Sequence, residues 1–211
     1  MLGLTVERSY FKRGVELLAG VDEVGRGPWA GPVVAAAVVI GPDFRRAASL
    51  RGVTDSKQLT ARRREELAAA IVCLLPYAVG AASAREIDRF NVLGATVIAM
   101  RRALARLPVE VDTVIVDGRP VPTLGRAHDA LVDGDCKCFA IACASIVAKT
   151  VRDRLMRLLA VRYPAYGWEH NAGYGSKDHR RALAAEGMTP HHRRSFVPVA
   201  QPGLFDALAE R

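Results

Sequence analysis

Apolar residues recur along the chain in two spacings, one typical of strands and the other of helices. Continuous or alternating apolar runs predict strands at Val15–Leu18 leading into Val21-Asp22, Val33–Ile40, Tyr77–Ala82, Val111–Val116 and near Leu131-Val132. Helical spacing predicts helices from Thr60 to about Leu75, from Asn91 to about Leu107, over Phe139–Leu159 and over Lys177–Glu186. Because strands and helices alternate, we expect an α/β domain with a mixed sheet covered by helices on both faces.

Composition and charge narrow the class of protein. The chain has 211 residues, of which 50% are apolar and 25% charged, as expected for one globular domain with a full core. Its net charge of +8 favours a polyanionic partner such as nucleic acid. The first 20 residues carry several charges, and the longest apolar stretch, Pro32–Ile40, is too short to cross a bilayer. We therefore expect a cytoplasmic protein that does not contact the membrane.

The four cysteines do not have the paired spacing of a structural zinc site. Cys136, Cys138 and Cys143 lie in an otherwise apolar run, and Cys73 stands alone. This pattern predicts small, buried, reduced thiols.

Acidic residues stand at the ends of three predicted strands: Asp22-Glu23, Asp117 and Asp135. Taken singly, each also fits a turn, but carboxylates gathered at one sheet edge repel each other unless a cation lies between them. Oxygen ligands without His or Cys suit Mg²⁺ or Mn²⁺ rather than zinc. Two such ions, about 4 Å apart, would activate a water and stabilise the leaving oxygen of a phosphodiester. As a set, these acids predict a metal site.

Glu23 poses a geometric problem for such a site. Adjacent residues of a regular strand point to opposite faces, so Asp22 and Glu23 cannot both direct a carboxylate at one ion without distortion. We predict that Glu23 binds through its backbone carbonyl, or that the strand ends or bulges there.

Glycines directly after the acidic pair suggest a dinucleotide-binding turn, and hence an NAD(P) oxidoreductase. However, prolines and β-branched residues follow Gly25-Arg26-Gly27, where such a turn would open a helix. Exposed backbone N–H groups that approach a sugar-phosphate chain are the better interpretation. A non-catalytic nucleic-acid binder is the second rival, but it needs no acid cluster and normally shows stacking aromatics, which are only 6% of this chain.

Basic residues elsewhere leave alternatives open. Lys57 of Asp55-Ser-Lys57 either binds phosphate or is solvated. The run His191-His-Arg-Arg194 either contacts a nucleic-acid backbone or is a solvated basic segment. Gly173-Tyr-Gly-Ser-Lys177 lacks the spacing of a phosphate loop, which argues against nucleotide hydrolysis, and Ser176 fits a helix cap.

An ordered set of motifs resembles the ribonuclease HII family over about residues 15 to 198. The motifs are Gly20-Val-Asp-Glu-Val-Gly-Arg-Gly-Pro-Trp-Ala-Gly31, Asp55-Ser-Lys-Gln-Leu59, Val116-Asp-Gly118, Gly134-Asp135, Ala144-Ser-Ile-Val-Ala-Lys149, Arg152-Asp153, Gly173-Tyr-Gly175 and His192-Arg-Arg-Ser-Phe196. The resemblance implies a ribonuclease H-like three-layer α/β/α domain with a five-stranded mixed sheet over residues 1–165. Residues 166–211 would form a helical carboxy-terminal extension that completes the substrate-binding groove.

The same resemblance implies an endonuclease that cuts the RNA strand of RNA–DNA hybrids and cuts 5′ of ribonucleotides embedded in duplex DNA. Two Mn²⁺ or Mg²⁺ ions would serve the hydrolysis, which leaves 5′-phosphate and 3′-hydroxyl ends. The implied catalytic and metal ligands are Asp22, Glu23, Asp117 and Asp135. The implied substrate-binding residues are Gly25, Arg26 and Gly27, which sense the 2′-hydroxyl, Lys57 on phosphate, and Tyr174 stacked on a sugar. Asp153 is expected to be structural.

The tail reads Gln201-Pro-Gly-Leu-Phe205, which is similar to short peptides that bacterial replication proteins insert into the sliding clamp. Two adjacent large apolar groups on a terminus could dock in a preformed groove of that partner. The alternative is that Leu204, Phe205 and Leu208 form the apolar face of a last helix packed on the domain. We otherwise expect a monomer.

Overall fold

Five strands form a single mixed sheet in the computed structural model, which describes residues 2–45 and 47–200. The strands are β1 (Leu18–Val24), β2 (Val33–Ile40), β3 (Tyr77–Ala82), β4 (Thr113–Asp117) and β5 (Asp129–Leu131). Their order across the sheet is β3-β2-β1-β4-β5. The pairing of β1 with β2 is antiparallel, whereas β1 with β4 and β4 with β5 are parallel.

Helices precede, separate and follow the strands. They are α1 (Thr5–Phe11), α2 (Ala61–Leu74), α3 (Ala84–Ala105), α4 (Phe139–Arg162), α5 (Trp168–Asn171), α6 (Lys177–Glu186) and α7 (Val197–Ala200). Side-chain caps fix two of the starts: the Thr60 hydroxyl accepts from the Arg63 N–H, and the Ser176 hydroxyl accepts from the His179 N–H. In the described ranges, no helix has the length and apolar character needed to span a bilayer.

The sheet is covered on both faces. Every residue of β2 is buried, and since successive residues point to opposite faces, both faces must be covered. Glycines allow the closest contacts: a Cβ built on Gly20 would lie 2.4 Å from the backbone of α4, and one on Gly80 would lie 2.1 Å from the Ala99 carbonyl of α3. These two helices therefore pack directly on the strand backbones.

Most predicted elements are confirmed, with shifts at their ends. β1 begins at Leu18 rather than Val15, and α4 extends three residues beyond Leu159. The predicted cap at Asn91 is present, because its side chain accepts from the N–H groups of Leu93 and Gly94, but α3 begins seven residues earlier and kinks at Asn91. The prediction of four buried thiols is wrong for Cys73 and Cys136, which are exposed.

The chain divides into two compact units, each assembled from three segments. The first unit contains the residues up to Val24, Val34–Ala81 and Val97–Thr150. The second contains Gly25–Val33, Ala82–Thr96 and the residues from Val151 onward. In the second unit, Trp168, Tyr166 and Met156 form a small buried core. The boundary expected at residue 165 stays a prediction.

Candidate active site

Two of the predicted acids lie side by side at the carboxyl end of the sheet. The parallel pairing of β1 with β4 runs from Leu18 opposite Thr113 to Val21 opposite Val116. Asp22 follows Val21 and Asp117 follows Val116, so the two acids lie side by side at the same end of the two strands. The structure thus brings together two of the four predicted acids.

Asp22 is buried, and its ionised form is disfavoured. Burial raises the pKa of Asp22 well above its usual value, and the negative charges of Glu23 and Asp117 add to the effect. The Ser145 hydroxyl donates to the Asp22 carboxylate and works in the opposite direction, and the Glu23 N–H donates to Asp22 Oδ1 at 2.6 Å. Ionisation of Asp22 would place a negative charge beside those of Glu23 and Asp117, and a bound cation would offset that cost.

A hydrogen-bonded pair of serines supports the Asp22 carboxylate through Ser145. The Ser56 and Ser145 hydroxyls are hydrogen-bonded at 2.9 Å, and both are buried. Ser56 is fixed in turn by Arg64, which donates to its carbonyl at 2.9 Å. Sequence reasoning assigned no role to either serine, because the bond joins residues 89 positions apart.

Asp135 reaches the same region from a tight turn of one 3-10 helix, Gly134–Cys136. The Gly134 N–H donates to Asp117 Oδ1 at 2.6 Å, which ties this turn to the end of β4. A Cβ on Gly134 would lie 2.6 Å from the Ile141 side chain and 3.0 Å from Asp117 Oδ1, so a larger residue would have to displace the Ile141 side chain. Burial raises the pKa of Asp135, and the charges of Asp55 and Asp117 raise it further.

Lys57 lies beside one of these carboxylates. Its Nζ lies 3.8 Å from Asp135 Oδ2, on a side chain that is 79% exposed. Partial burial lowers the pKa of Lys57, but the attraction of Asp55, Asp135, Asp22 and Asp117 outweighs it and leaves the pKa raised. The ammonium therefore stays charged, with most of its surface open to solvent.

The buried Glu7 of α1 holds the start of α4, the helix that follows Asp135. Glu7 Oε1 accepts from the Ala140 N–H at 3.0 Å and from the Cys138 thiol at 3.2 Å. A carboxylate at a helix amino terminus also interacts favourably with the helix dipole. Nothing in the sequence pattern pointed to Glu7.

The prediction of a break in the strand at Glu23 is wrong. β1 continues to Val24 in regular register with β2, with Asp22 opposite Ala36 and Glu23 opposite Ala35. The Glu23 charge nevertheless acts on Asp22, so its carboxylate lies within electrostatic reach of the acids. Binding through the Glu23 carbonyl stays a prediction.

The donor set suits a hard divalent cation. All four side chains offer carboxylate oxygens, which Mg²⁺ and Mn²⁺ favour, and the raised pKa of Asp22 marks the charge that an ion would neutralise. In the described part of the chain, no three His, Cys, Asp or Glu side chains are yet gathered closely enough to chelate an ion.

The residues predicted to recognise the ribose, Gly25–Gly27 and Tyr174, lie together in the second unit. Gly25 is buried with φ +93°, a conformation that favours glycine, whereas Arg26 and Gly27 are exposed. A Cβ built on Gly27 would lie 3.6 Å from Tyr174 Cε1, so the tyrosine ring borders this loop. Tyr174 is 50% exposed, which leaves part of its surface available for stacking.

The basic run His191–Arg194 was predicted either to contact a nucleic-acid backbone or to be solvated, and neither alternative fits its two central residues. His192 and Arg193 are buried, so they are neither solvated nor in contact with a nucleic-acid backbone. Arg194 is exposed, and its backbone N–H donates to Asp88 at 3.1 Å.

The two buried histidines of the second unit form a chain of hydrogen bonds that ends at Tyr174. The Thr189 N–H donates to His192 Nδ1 at 2.9 Å, so this nitrogen is unprotonated. His192 Nε2–H then donates to His179 Nε2 at 2.9 Å, and His179 Nδ1–H donates to the Tyr174 carbonyl at 2.9 Å. Both rings are neutral in this arrangement, and they fix the backbone of Tyr174.

Acid should destabilise the protein through this pair. Burial lowers the pKa of His192 to about 4, with contributions from His179 and His191, and burial also lowers the pKa of His179. Between pH ~6.5 and ~4 the unfolded chain therefore binds more protons, and stability falls as the pH falls. For His192 alone we expect a loss of ~3 kcal/mol by pH ~4, measured as the free energy of unfolding in urea.

The variant His192→Asn separates this effect from other titrations. Asp22, whose pKa is raised, contributes a pH dependence of opposite sign, so only the difference between variant and wild type is informative. We expect a flatter rise of stability between pH 4 and 6.5 in the variant. The same slope in both proteins would contradict the assignment.

Comparison with known proteins agrees with this geometry. The ribonuclease HII family model matches residues 19–199. Ribonuclease HII of Cereibacter sphaeroides is 52% identical over 195 residues, which is 92% of this chain and 90% of that protein. The chain belongs to the ribonuclease HII family.

Solved structures of family members have the same fold. Ribonuclease H2 from Pyrococcus horikoshii superposes with a TM-score of 0.74 at 28% identity, covering 92% of this chain and 100% of that one. Ribonuclease HII from Archaeoglobus fulgidus, solved as a PCNA:RNase HII complex, gives 0.70 at 26% identity, covering 85% and 95%. The chain is thus a divalent-metal-dependent endonuclease that cleaves the RNA of RNA–DNA hybrids, on the expected ribonuclease H-like fold.

Proposed function

We propose that Asp22, Glu23, Asp117 and Asp135 are the catalytic metal ligands and that hydrolysis uses two divalent ions, Mn²⁺ or Mg²⁺. The observation that carries this proposal is that the paired strands β1 and β4 place Asp22 beside Asp117, where burial, and then the charges of Glu23 and Asp117, raise the pKa of Asp22. When bound, the ions would lower the pKa of a water nucleophile and offset charge on the leaving 3′-oxygen. The products would carry 5′-phosphate and 3′-hydroxyl ends.

The other residues of this site would hold and orient the reacting groups. The Ser145 hydroxyl keeps the Asp22 carboxylate in one orientation, and the Gly134 N–H does the same for Asp117. Lys57 presents a charged, exposed ammonium beside Asp135 and would contact a substrate phosphate. A preorganised set of this kind limits the reorganisation needed at the moment of reaction.

Ribose recognition would come from Gly25, Arg26, Gly27 and Tyr174. Backbone N–H groups can sense a 2′-hydroxyl, which is the group that distinguishes RNA from DNA at each nucleotide. The exposure of Arg26 and Gly27 and the adjoining ring of Tyr174 support this role. Residues 166–211, which include Tyr174, would supply part of the substrate-binding groove.

Cleavage 5′ of a single ribonucleotide in duplex DNA would follow from such recognition. The test uses a DNA duplex with one ribonucleotide, labelled at the 5′ end of the strand that contains it. This duplex is incubated with the enzyme and Mn²⁺ or Mg²⁺ separately, beside the same duplex made entirely of DNA. Alkali breaks the bond 3′ of the ribonucleotide, so its labelled fragment is one nucleotide longer than the expected product. A DNA polymerase should extend the enzymatic product, because it ends in a 3′-hydroxyl. Activity on a hybrid but not on this duplex under either metal would refute the proposal.

Two substitutions of Tyr174 separate its ring from its hydroxyl. If the ring stacks on a sugar, Tyr174→Phe should keep most of the activity, because the ring surface is preserved. Tyr174→Ala should weaken productive binding by ~1–3 kcal/mol, seen as a higher KM on a ribonucleotide-containing duplex. Equal losses in both variants would assign the role to the hydroxyl.

We propose in addition that Gln201–Phe205 binds a replication sliding clamp, with the enzyme acting as a monomer. These residues lie outside the described part of the chain. Support comes from their sequence and from the Archaeoglobus fulgidus relative, which was solved in a complex with PCNA. The sliding clamp of the source organism should retain the wild-type chain in a pull-down but not Leu204→Ala/Phe205→Ala. Equal retention of both would dispose of the proposal.

A further inference from the structure

Arg193 is a fully buried arginine whose hydrogen bonds, among the described residues, all go to main-chain carbonyls. Nη2 donates to the Gly25 carbonyl at 2.5 Å and Nη1 to the Arg26 carbonyl at 2.8 Å. Nε and Nη2 both donate to the Gly31 carbonyl, at 3.1 and 2.9 Å. One guanidinium thus holds both ends of the Gly25–Gly31 loop.

This placement is costly. Burial, and to a lesser extent the charge of the nearby Arg152, lower the pKa of Arg193 to about 9. A second buried arginine, Arg152, donates to the carbonyls of Ala30, Pro32 and Ala172, so two cations share one interior. Buried charges of like sign oppose folding, and an apolar residue would avoid that cost. The planar fork of arginine, with five donors in fixed directions, is what the three carbonyls require.

The bonds also determine where the loop's amide groups point. The peptide bonds of the described residues are trans, so the C=O of one residue and the N–H of the next lie in one plane and point in opposite directions. Because the Gly25 and Arg26 carbonyls point to Arg193, the N–H groups of Arg26 and Gly27 point away from it. Tyr174 borders Gly27.

We infer that Arg193 is a positioning residue for ribose recognition, acting through the Gly25 and Arg26 carbonyls to present the Arg26 and Gly27 N–H groups to the 2′-hydroxyl. This inference rests on the proposed role of the loop. It assigns a role in specificity to a residue of the His192-Arg-Arg-Ser-Phe196 motif that does not itself touch substrate. Lysine keeps the charge but offers one donor group in place of a fork, so it cannot hold three carbonyls.

The test compares Arg193→Lys with wild type on two measurements. The first is the ratio of Kd values for an all-DNA duplex and for the same duplex with one ribonucleotide, in EDTA so that no cleavage occurs. We expect this ratio to fall about tenfold in Arg193→Lys. The second is cleavage of an RNA–DNA hybrid, where kcat should fall by about 10–100-fold with little change in KM, because the reading loop is misplaced rather than lost.

Two matched variants serve as controls. Arg181→Lys changes an exposed arginine on α6 and should leave both measurements unchanged. Arg152→Lys changes an equally buried arginine that holds other carbonyls, and should lower stability without an equal loss of the Kd ratio. Equal loss of that ratio in Arg152→Lys and Arg193→Lys, or an unchanged ratio in Arg193→Lys, would overturn the inference. A wild-type ratio near one would instead refute the proposed recognition by the loop.

If Arg193→Lys does not fold, the wild-type protein still decides the matter. A loop fixed through its carbonyls should be rigid before substrate binds. The ¹⁵N order parameters of Arg26 and Gly27 should therefore be about 0.85 in the free protein, and values below about 0.6 would contradict the inference.

Discussion

Substitution of Asp22 or Asp117 by asparagine should lower the kcat for hybrid cleavage by ~10³-fold or more at saturating metal. The change removes one charged ligand while keeping the shape of the side chain, and a loss of this size corresponds to ~4 kcal/mol of transition-state stabilisation. Binding of the hybrid, measured in EDTA, should be unchanged or slightly tighter, because repulsion between carboxylate and phosphate is reduced. Steady-state cleavage of a labelled hybrid measures the first effect.

Asp133→Asn is the matched control for charge. Asp133 lies two residues before Asp135, its side chain is 74% exposed, and its φ of +55° is one that asparagine adopts readily. Its removal should leave kcat within about twofold of wild type, as expected for an exposed surface carboxylate. Wild-type turnover in Asp22→Asn or Asp117→Asn would show that the metal site is wrongly assigned.

Stability gives a readout of the acid cluster that does not depend on turnover. Since the pKa of Asp22 is raised, its ionised form costs folding free energy, and this cost appears as the pH rises through that pKa. Without metal at pH 7.5, Asp22→Asn should therefore melt at a higher temperature than wild type. Added Mn²⁺ should raise the Tm of wild type by more than that of the variant, because binding to the folded state is lost with the ligand.

The second large effect concerns two glycines of one loop. Gly25→Ala places a Cβ 2.2 Å from Arg152 Nε and 2.7 Å from the Pro32 carbonyl, at a φ that disfavours alanine. We expect the free energy of unfolding to fall by ~2–4 kcal/mol and cleavage of a hybrid to fall by ~10–100-fold. Urea titration and steady-state kinetics measure the two losses.

Gly27→Ala is the comparison, because its φ is not in the left-handed region and its Cβ would meet only Tyr174 at an ordinary 3.6 Å. Stability should change by less than ~0.5 kcal/mol, while cleavage should fall, since the added methyl stands where the backbone would approach the ribose. If Gly27→Ala cleaves like wild type, the loop does not read the substrate at that residue. A large loss of stability would show that Gly27 is not exposed.

Local pattern was enough to predict most of the fold. The apolar run Val33–Ile40 and the helix Lys177–Glu186 have the predicted bounds, because strand periodicity, a serine cap and a closing glycine all act within a few residues. Short elements such as α1 were missed, since seven residues carry too little periodicity to stand out. The acids were found because three of them end or follow strands, a position visible in sequence.

Residues that act across long distances in sequence could not be predicted. Ser145 reaches Asp22 from another element, and Arg193 holds carbonyls 162 to 168 positions away. The sequence around a buried arginine that binds backbone carbonyls does not differ from that around a solvated arginine. For this reason the sequence did not predict the burial of Arg193 in the basic run His191–Arg194. A break in the strand at Glu23 was one of two alternatives, and it was considered because the register of β1 with β2 could not be known from the sequence.

The hydrogen bonds of Glu7 tie the amino-terminal helix to the start of α4, although the family model begins at residue 19. Ends of domains often tolerate trimming, but a chain shortened to start at Val15 would leave the Ala140 N–H and the Cys138 thiol buried without their acceptor. An unmet buried donor costs ~1–3 kcal/mol, which a comparison of unfolding free energies would detect. We therefore expect the shortened chain to be less stable, because the start of α4 loses its contact with α1.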